Sequence, residues 1–243
     1  MQVRAFVFDL WGTLVPSPTG RRDDVVCAMA ADLGVETSAY AAAFRDSHAE
    51  RFTGASGSLE HTVEALAARC GGTPSVVAVA RAARRRLDLT RSLLAAGDES
   101  LAVLDELRER GFRLGLVTDS SVETPTLWSK TPLAARFDAV AFSCLLGVRK
   151  PDPAIFLAGL ERLGVPAREC AYVGDGGGGE LSAAQALGMR AVRLATVHDD
   201  PSSRYDDDVA FVGPRVAGLR DLLGLPWASA PFVFEVDEFD EAD

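Results

Sequence analysis

Asp9 ends the first apolar run of the chain, Val3 to Phe8, and is followed by Leu10-Trp11-Gly12-Thr13-Leu14. In a parallel sheet, ligands bind beyond the carboxyl ends of the strands, so a carboxylate at that point is placed for chemistry. Gly12 lets the backbone turn sharply after it, and the Thr13 hydroxyl and amide can then face the same cavity as the Asp9 carboxylate. The plainer alternative is an Asp that caps the next segment of an ordinary strand exit. Cationic chemistry has few sources other than arginine, because Lys130 and Lys150 are the only lysines among 25 Lys and Arg residues. A Schiff-base mechanism therefore has just those two candidates. Cys27, Cys70, Cys144 and Cys170 form no CxxC pair and have no His at metal-ligand spacing, which suggests small buried thiols in a reduced, cytoplasmic chain. His61 and His198 lack a carboxylate or hydroxyl at a diagnostic spacing and read as surface residues.

The elements that must hold these groups follow from the hydrophobic pattern. Short β-rich runs lie at Val3 to Asp9, Leu114 to Asp119, Ala139 to Cys144, Ala171 to Gly174 and Ala191 to Leu194. From Leu101 onward they alternate with helical stretches, and their apolar character on both faces predicts an α/β fold, a doubly wound parallel sheet of five or six strands. Between Leu14 and Ala96 the pattern is helical throughout: Arg21 to Leu33, Ser38 to Phe52, Ser58 to Cys70 and Pro74 to Leu94. A helical block of about 80 residues is too long for a crossover loop and predicts an inserted subdomain. The expected division is a core of residues 1–15 and 97–225, a helical insert of 16–96, and an acidic tail of 226–243. Asp98 is the expected N-cap of a helix from Glu99 to Arg110.

Acidic residues number 35, for a net charge of −10, and nucleic-acid binding would need the opposite sign. The acidic run Asp206 to Asp208 reads as a solvated segment. No stretch reaches 18 uninterrupted apolar residues, so no membrane partner is expected. A small-molecule substrate and a monomer or homodimer remain.

The run Asp9-Leu10-Trp11-Gly12-Thr13 resembles the first motif of the haloacid dehalogenase superfamily, in which a nucleophilic Asp ends the first strand and x-x-G-T follows. The other motifs can be placed in order. Thr118, with Asp119 next to it, ends the second core strand, and its hydroxyl matches the Ser or Thr that donates to a phosphoryl oxygen. Lys150 in Arg149-Lys150-Pro151-Asp152-Pro153 matches the lysine that neutralises the nucleophile and the transferring group. Asp175, followed by Gly176 to Gly179 and Glu180, matches the acidic motif. The resemblance implies Mg²⁺ as cofactor, held by Asp9, the Trp11 backbone carbonyl and Asp175. Glu180 would face the same ion or pair with Lys150. The helical insert corresponds to the family's cap.

The chain departs from the family's phosphatases at Trp11, which stands where they carry an acid-base Asp. Asp119 and His48 are the candidates for the missing proton. Three readings follow: a phosphohydrolase acting through an aspartyl-phosphate, a 2-haloacid dehalogenase, and a catalytically reduced binding protein. The dehalogenase reading expects a cap arginine, for which Arg21, Arg22, Arg45 and Arg51 are available. Arg45, His48 and Phe52 would share a helix face able to line the site entrance. Arg84-Arg85-Arg86 reads as an exposed stripe.

Overall fold

The computed structural model describes residues 2–17, 19–195 and 208–228. A sheet of six strands forms its centre: β1 (Ala5–Phe8), β2 (Arg113–Thr118), β3 (Ala139–Phe142), β4 (Cys170–Gly174), β5 (Arg190–Leu194) and β6 (Arg215–Val216). Their order is β3-β2-β1-β4-β5-β6, and every pairing is parallel. The expected α/β class is what forms.

Alternation along β1 explains the two-sided burial. Phe6 and Phe8 join one apolar cluster with Leu104 and Leu107 of α6 (Asp98–Glu109). Ala5 and Val7 join another with Ile155 and Phe156 of α9 (Pro153–Leu163). Successive side chains of a strand point to opposite faces, so a strand covered by helices on both sides must be apolar throughout.

Between β1 and α6 the chain makes α1 (Thr19–Leu33), α2 (Thr37–Asp46), α3 (His48–Phe52), α4 (Leu59–Arg69) and α5 (Val76–Leu93). These helices build their own buried cluster from residues such as Met29, Tyr40, Phe44, Val63 and Leu66. Sequence and structure differ at several points. The single helix expected over Ser38 to Phe52 breaks at Ser47, whose hydroxyl donates to the Phe44 carbonyl at 2.9 Å while the Arg51 guanidinium occupies the same carbonyl at 3.0 Å. Side-chain bonding of this kind competes with helix propagation. The third strand stops at Phe142, because Ser143 starts the short α8 (Ser143–Leu146). Gly97, in extended conformation, caps α6, and Asp98 is the first helical residue.

Burial corrects three further expectations. Cys27 is exposed and Cys70 half-buried; only Cys144 and Cys170 are buried thiols. Asp208 is buried instead of solvated, its carboxylate accepting from the Ser182 amide and hydroxyl at 2.6 Å each, while Asp206 and Asp207 lie outside the described residues. His198 and the tail beyond Ala228 lie outside them as well. Arg86 is buried too, because it falls on the same face of α5 as Val79, Ala82, Ala83, Leu89 and Thr90. Among the described residues no helix is long and apolar enough to cross a membrane.

Candidate active site

The chain runs from β1 to β2 to β3 on one side and returns to β4 on the other, so the strand order reverses at β1. Such a reversal opens a crevice at the carboxyl ends of the strands. Asp9 follows β1 there, and Phe8 pairs with Leu116 of β2 and Val173 of β4. The ends of three neighbouring strands therefore deliver Asp9, Asp119 and Asp175 to one place.

Lys150 ties them together. Its Nζ lies 2.5 Å from Asp9 Oδ1 and 2.5 Å from Glu180 Oε2, and its backbone amide donates to Asp119 Oδ1 at 2.9 Å. Glu180 is fully engaged: Oε2 also accepts from the Tyr172 hydroxyl at 2.7 Å, and Oε1 accepts from the Gly176 amide at 3.0 Å. Asp9 Oδ2 has no hydrogen-bond partner among the described residues.

Two glycines permit this density. Gly12 has φ +81°, and a Cβ there would collide with the Asp175 carboxylate; one at Gly174 would collide with that of Glu180. Only glycine is free of both the left-handed penalty and the clash.

Burial pushes the Asp9 carboxyl up to about 8; Lys150 pulls it down, and the nearby Glu180 and Asp175 carboxylates push it further up. Burial alone would lower the Lys150 ammonium, but Asp9 and Glu180 hold it well above its ordinary value. It is a cation throughout the physiological range. Burial raises the Asp119 carboxyl despite Lys150. His48 is pushed down to about 4 by burial and by the cationic Arg51, Arg149 and Arg22, so its imidazole is neutral at neutral pH.

Carboxylate oxygens of Asp9, Asp175 and Glu180 lie within 4.8 Å of one another. This hard-oxygen donor set suits Mg²⁺. Since both Glu180 oxygens already serve Lys150, Tyr172 and Gly176, Asp9 and Asp175 are the carboxylates better placed to hold an ion.

These groups line a cavity of about 190 Å³ between sheet and insert. Trp11, His48 and Phe52 form part of its wall, with the His48 and Phe52 rings stacked at 4.0 Å. Arg45 does not join them: it is exposed, because the break at Ser47 ends the helical spacing that would have aligned it. Arg51 is buried, stacked 3.8 Å from the Phe44 ring centroid. Thr118 is fully buried, its hydroxyl 3.4 Å from the Asp119 carbonyl, and Asp119 and Ser121 line the cavity in its place. Thr13 is buried, its hydroxyl without a hydrogen-bond partner among the described residues.

A sequence model described as haloacid dehalogenase-like hydrolase matches residues 3–188. The chain belongs to the haloacid dehalogenase-like hydrolases. A glyceraldehyde 3-phosphate phosphatase of Methanopyrus kandleri is 30% identical over 212 residues, covering 85% of this chain and 91% of the relative. A phosphoserine phosphatase of Thermus thermophilus is 34% identical over 129 residues, covering 51% of this chain and 49% of that one. Among solved structures, a HAD phosphatase from Thermococcus onnurineus superposes with TM-score 0.62 at 20% identity, covering 95% of this chain and all of the other (100%). The L-2-haloacid dehalogenase of Xanthobacter autotrophicus superposes with TM-score 0.63 at 20% identity, covering 92% and 98%. These two likenesses establish the shared fold of this haloacid dehalogenase-like hydrolase.

Spacing alone did not single out Tyr172, Glu123, Ser121 or Arg149 for this site. Arg86 was missed although its signal was present, in the i, i+3, i+4 apolar series of α5 on which it sits.

Proposed function

We propose that this hydrolase is a Mg²⁺-dependent phosphohydrolase of small phosphate monoesters. The arrangement of Asp9 supports it most directly: one oxygen is held by Lys150 and the other is open at the carboxyl end of the central strand. Asp9 Oδ2 attacks phosphorus as the ester P–O bond breaks, giving an aspartyl-phosphate and an alcohol that leaves with a proton from Asp119; water then attacks phosphorus, returns a proton to Asp119 and releases inorganic phosphate and the Asp9 carboxylate. Lys150 neutralises charge on the nucleophile and on the transferring group. Asp9, Asp175 and the Trp11 carbonyl would hold Mg²⁺, which when bound offsets the phosphoryl charge. Glu180 and Tyr172 keep Lys150 in position, Ser121 lines the cavity where the buried Thr118 does not, and residues 16–96 act as the cap. The phosphatase names of the two sequence relatives favour this reading over dehalogenation.

The test is release of inorganic phosphate from aryl, acyl and alkyl phosphates as Mg²⁺ is titrated, with 2-haloacids assayed in parallel. Phosphate release that EDTA abolishes is expected. Metal-independent halide release in its place would overturn the reading.

Trp11 cannot protonate a leaving group, and neither can a His48 with its pKa near 4. Asp119 is the remaining group: it lines the cavity and its burial favours the protonated form. Asp119→Asn is expected to lower kcat on alkyl phosphates by about 10²- to 10⁴-fold. p-Nitrophenyl phosphate, whose leaving group needs no proton, should lose much less. Equal losses on both substrates would remove Asp119 from proton transfer.

A further inference from the structure

Four cations line the cavity, Arg22, Arg86, Arg149 and Lys150, together with the carboxylates Asp9, Asp119, Asp175 and Glu180. Most of these charges already have partners. Lys150 bridges Asp9 and Glu180. Arg86 is held from outside the cavity by Glu123 at 2.7 Å. Arg149 makes no ion pair among the described residues, and it is half-buried. Among the described residues Arg22 pairs only with Asp23, its exposed neighbour in sequence, at 3.4 Å, a surface pair that screening leaves weak. Asp119 lies near enough to Arg149 to feel its charge without forming an ion pair among the described residues, and burial raises its carboxyl above the ordinary value. The meeting place of α1, α3 and the loop before Lys150 therefore holds two guanidiniums on the cavity wall that are not tied up in a strong ion pair among the described residues.

We propose, on the basis of the phosphatase reading above, that Arg22 and Arg149 form a second anion subsite and that the substrate is a phosphorylated short hydroxy acid, with a carboxylate besides the phosphate. Both guanidiniums lie near enough to the His48 ring to add to the effect of burial and Arg51 in lowering its imidazole. A planar guanidinium fork matches a carboxylate in geometry. Size selects the same class. Pockets for drug-sized ligands run to about 300–1,000 Å³, whereas this one measures about 190 Å³, which suits a phosphate ester of a few carbons and not a nucleotide.

Three phosphates of identical carbon skeleton test the assignment: 3-phosphoglycerate, glyceraldehyde 3-phosphate and glycerol 3-phosphate, which end in a carboxylate, an aldehyde and an alcohol. With Mg²⁺ present, kcat/KM for the acid should exceed that for the other two by roughly tenfold or more. Arg22→Gln and Arg149→Gln should each collapse that ratio by about the same factor, and Arg149→Lys should restore part of it by returning the charge without the fork. If Arg149→Gln fails to fold, judged by circular dichroism, Arg22→Gln on α1 carries the same measurement. Turnover of all three without preference for the acid, or a preference that neither substitution moves, overturns the second subsite while the phosphatase reading stands. Phosphate release from none of the three nor from p-nitrophenyl phosphate overturns both.

Discussion

Asp9→Asn abolishes phosphate release, with a loss of about 10⁴-fold or more, as expected when a covalent nucleophile becomes an amide. The fold survives, and the reason lies in the same geometry. Asp9 is 4% exposed and shares a space of 4.8 Å with the carboxylates of Asp175 and Glu180. Crowded like charges with little water are mutually unfavourable. Replacing one by a neutral isostere relieves that repulsion, and Lys150 keeps Glu180 as its partner at 2.5 Å. Without Mg²⁺, the Asn variant should therefore melt at or above the wild-type temperature, as is common when strained active-site groups are removed. Steady-state kinetics and a thermal melt check both halves. An active Asn variant would remove Asp9 from the nucleophile role, and a large fall in Tm would make the three-carboxylate cluster structural.

Glu123→Gln is expected to cost about 3–5 kcal/mol of stability, the usual penalty for leaving one member of a buried ion pair without its partner. Glu123 begins α7 (Glu123–Trp128), just after the β2 exit that carries Asp119. Its Oε1 accepts from Arg86 Nε at 3.0 Å and Nη2 at 2.7 Å, and side-chain exposures are only 9% and 3%. The pair thereby joins α5 of the insert to the core beside the cavity. For a chain of this size, that loss lowers Tm by roughly 6 to 20 °C. Its pH dependence has a definite sign. Burial alone would raise the Glu123 carboxyl, but Arg86 brings it below its ordinary value of 4.5. A carboxyl depressed in the folded state contributes stability that is complete above the unfolded value and is lost as pH falls through the folded one. The Tm gap between wild type and variant should therefore be widest at neutral pH and close below about pH 4.5. A gap that stays constant down to acid pH would mean that packing, not charge, holds this joint.

Much of the fold was readable from periodicity. All five of the longer strands occur where apolar runs end in small or polar residues, and the helical insert follows from the absence of any such run between Leu14 and Ala96. Element ends were less legible. The break at Ser47 depends on Arg51 reaching back to the Phe44 carbonyl, a contact that a helix pattern does not contain. The same holds for Arg45, whose exposure follows from that break.

The amino-acid sequence by itself determined the order of the candidate site residues along a parallel sheet: Asp9, Thr118 and Asp175 at or just beyond strand ends and Lys150 just before a helix, with tryptophan in place of an acid at position 11. Strand periodicity suffices for this, because a side chain's place at a strand end is a local property. Tertiary structure decided which charges neutralise which. Lys150 meets Asp9 across 141 residues and Arg86 meets Glu123 across 37, while Arg149, next to Lys150, is left without such a partner among the described residues. Coulomb energy and desolvation depend on distance and burial in space, and neither quantity is written in the spacing of residues along the chain.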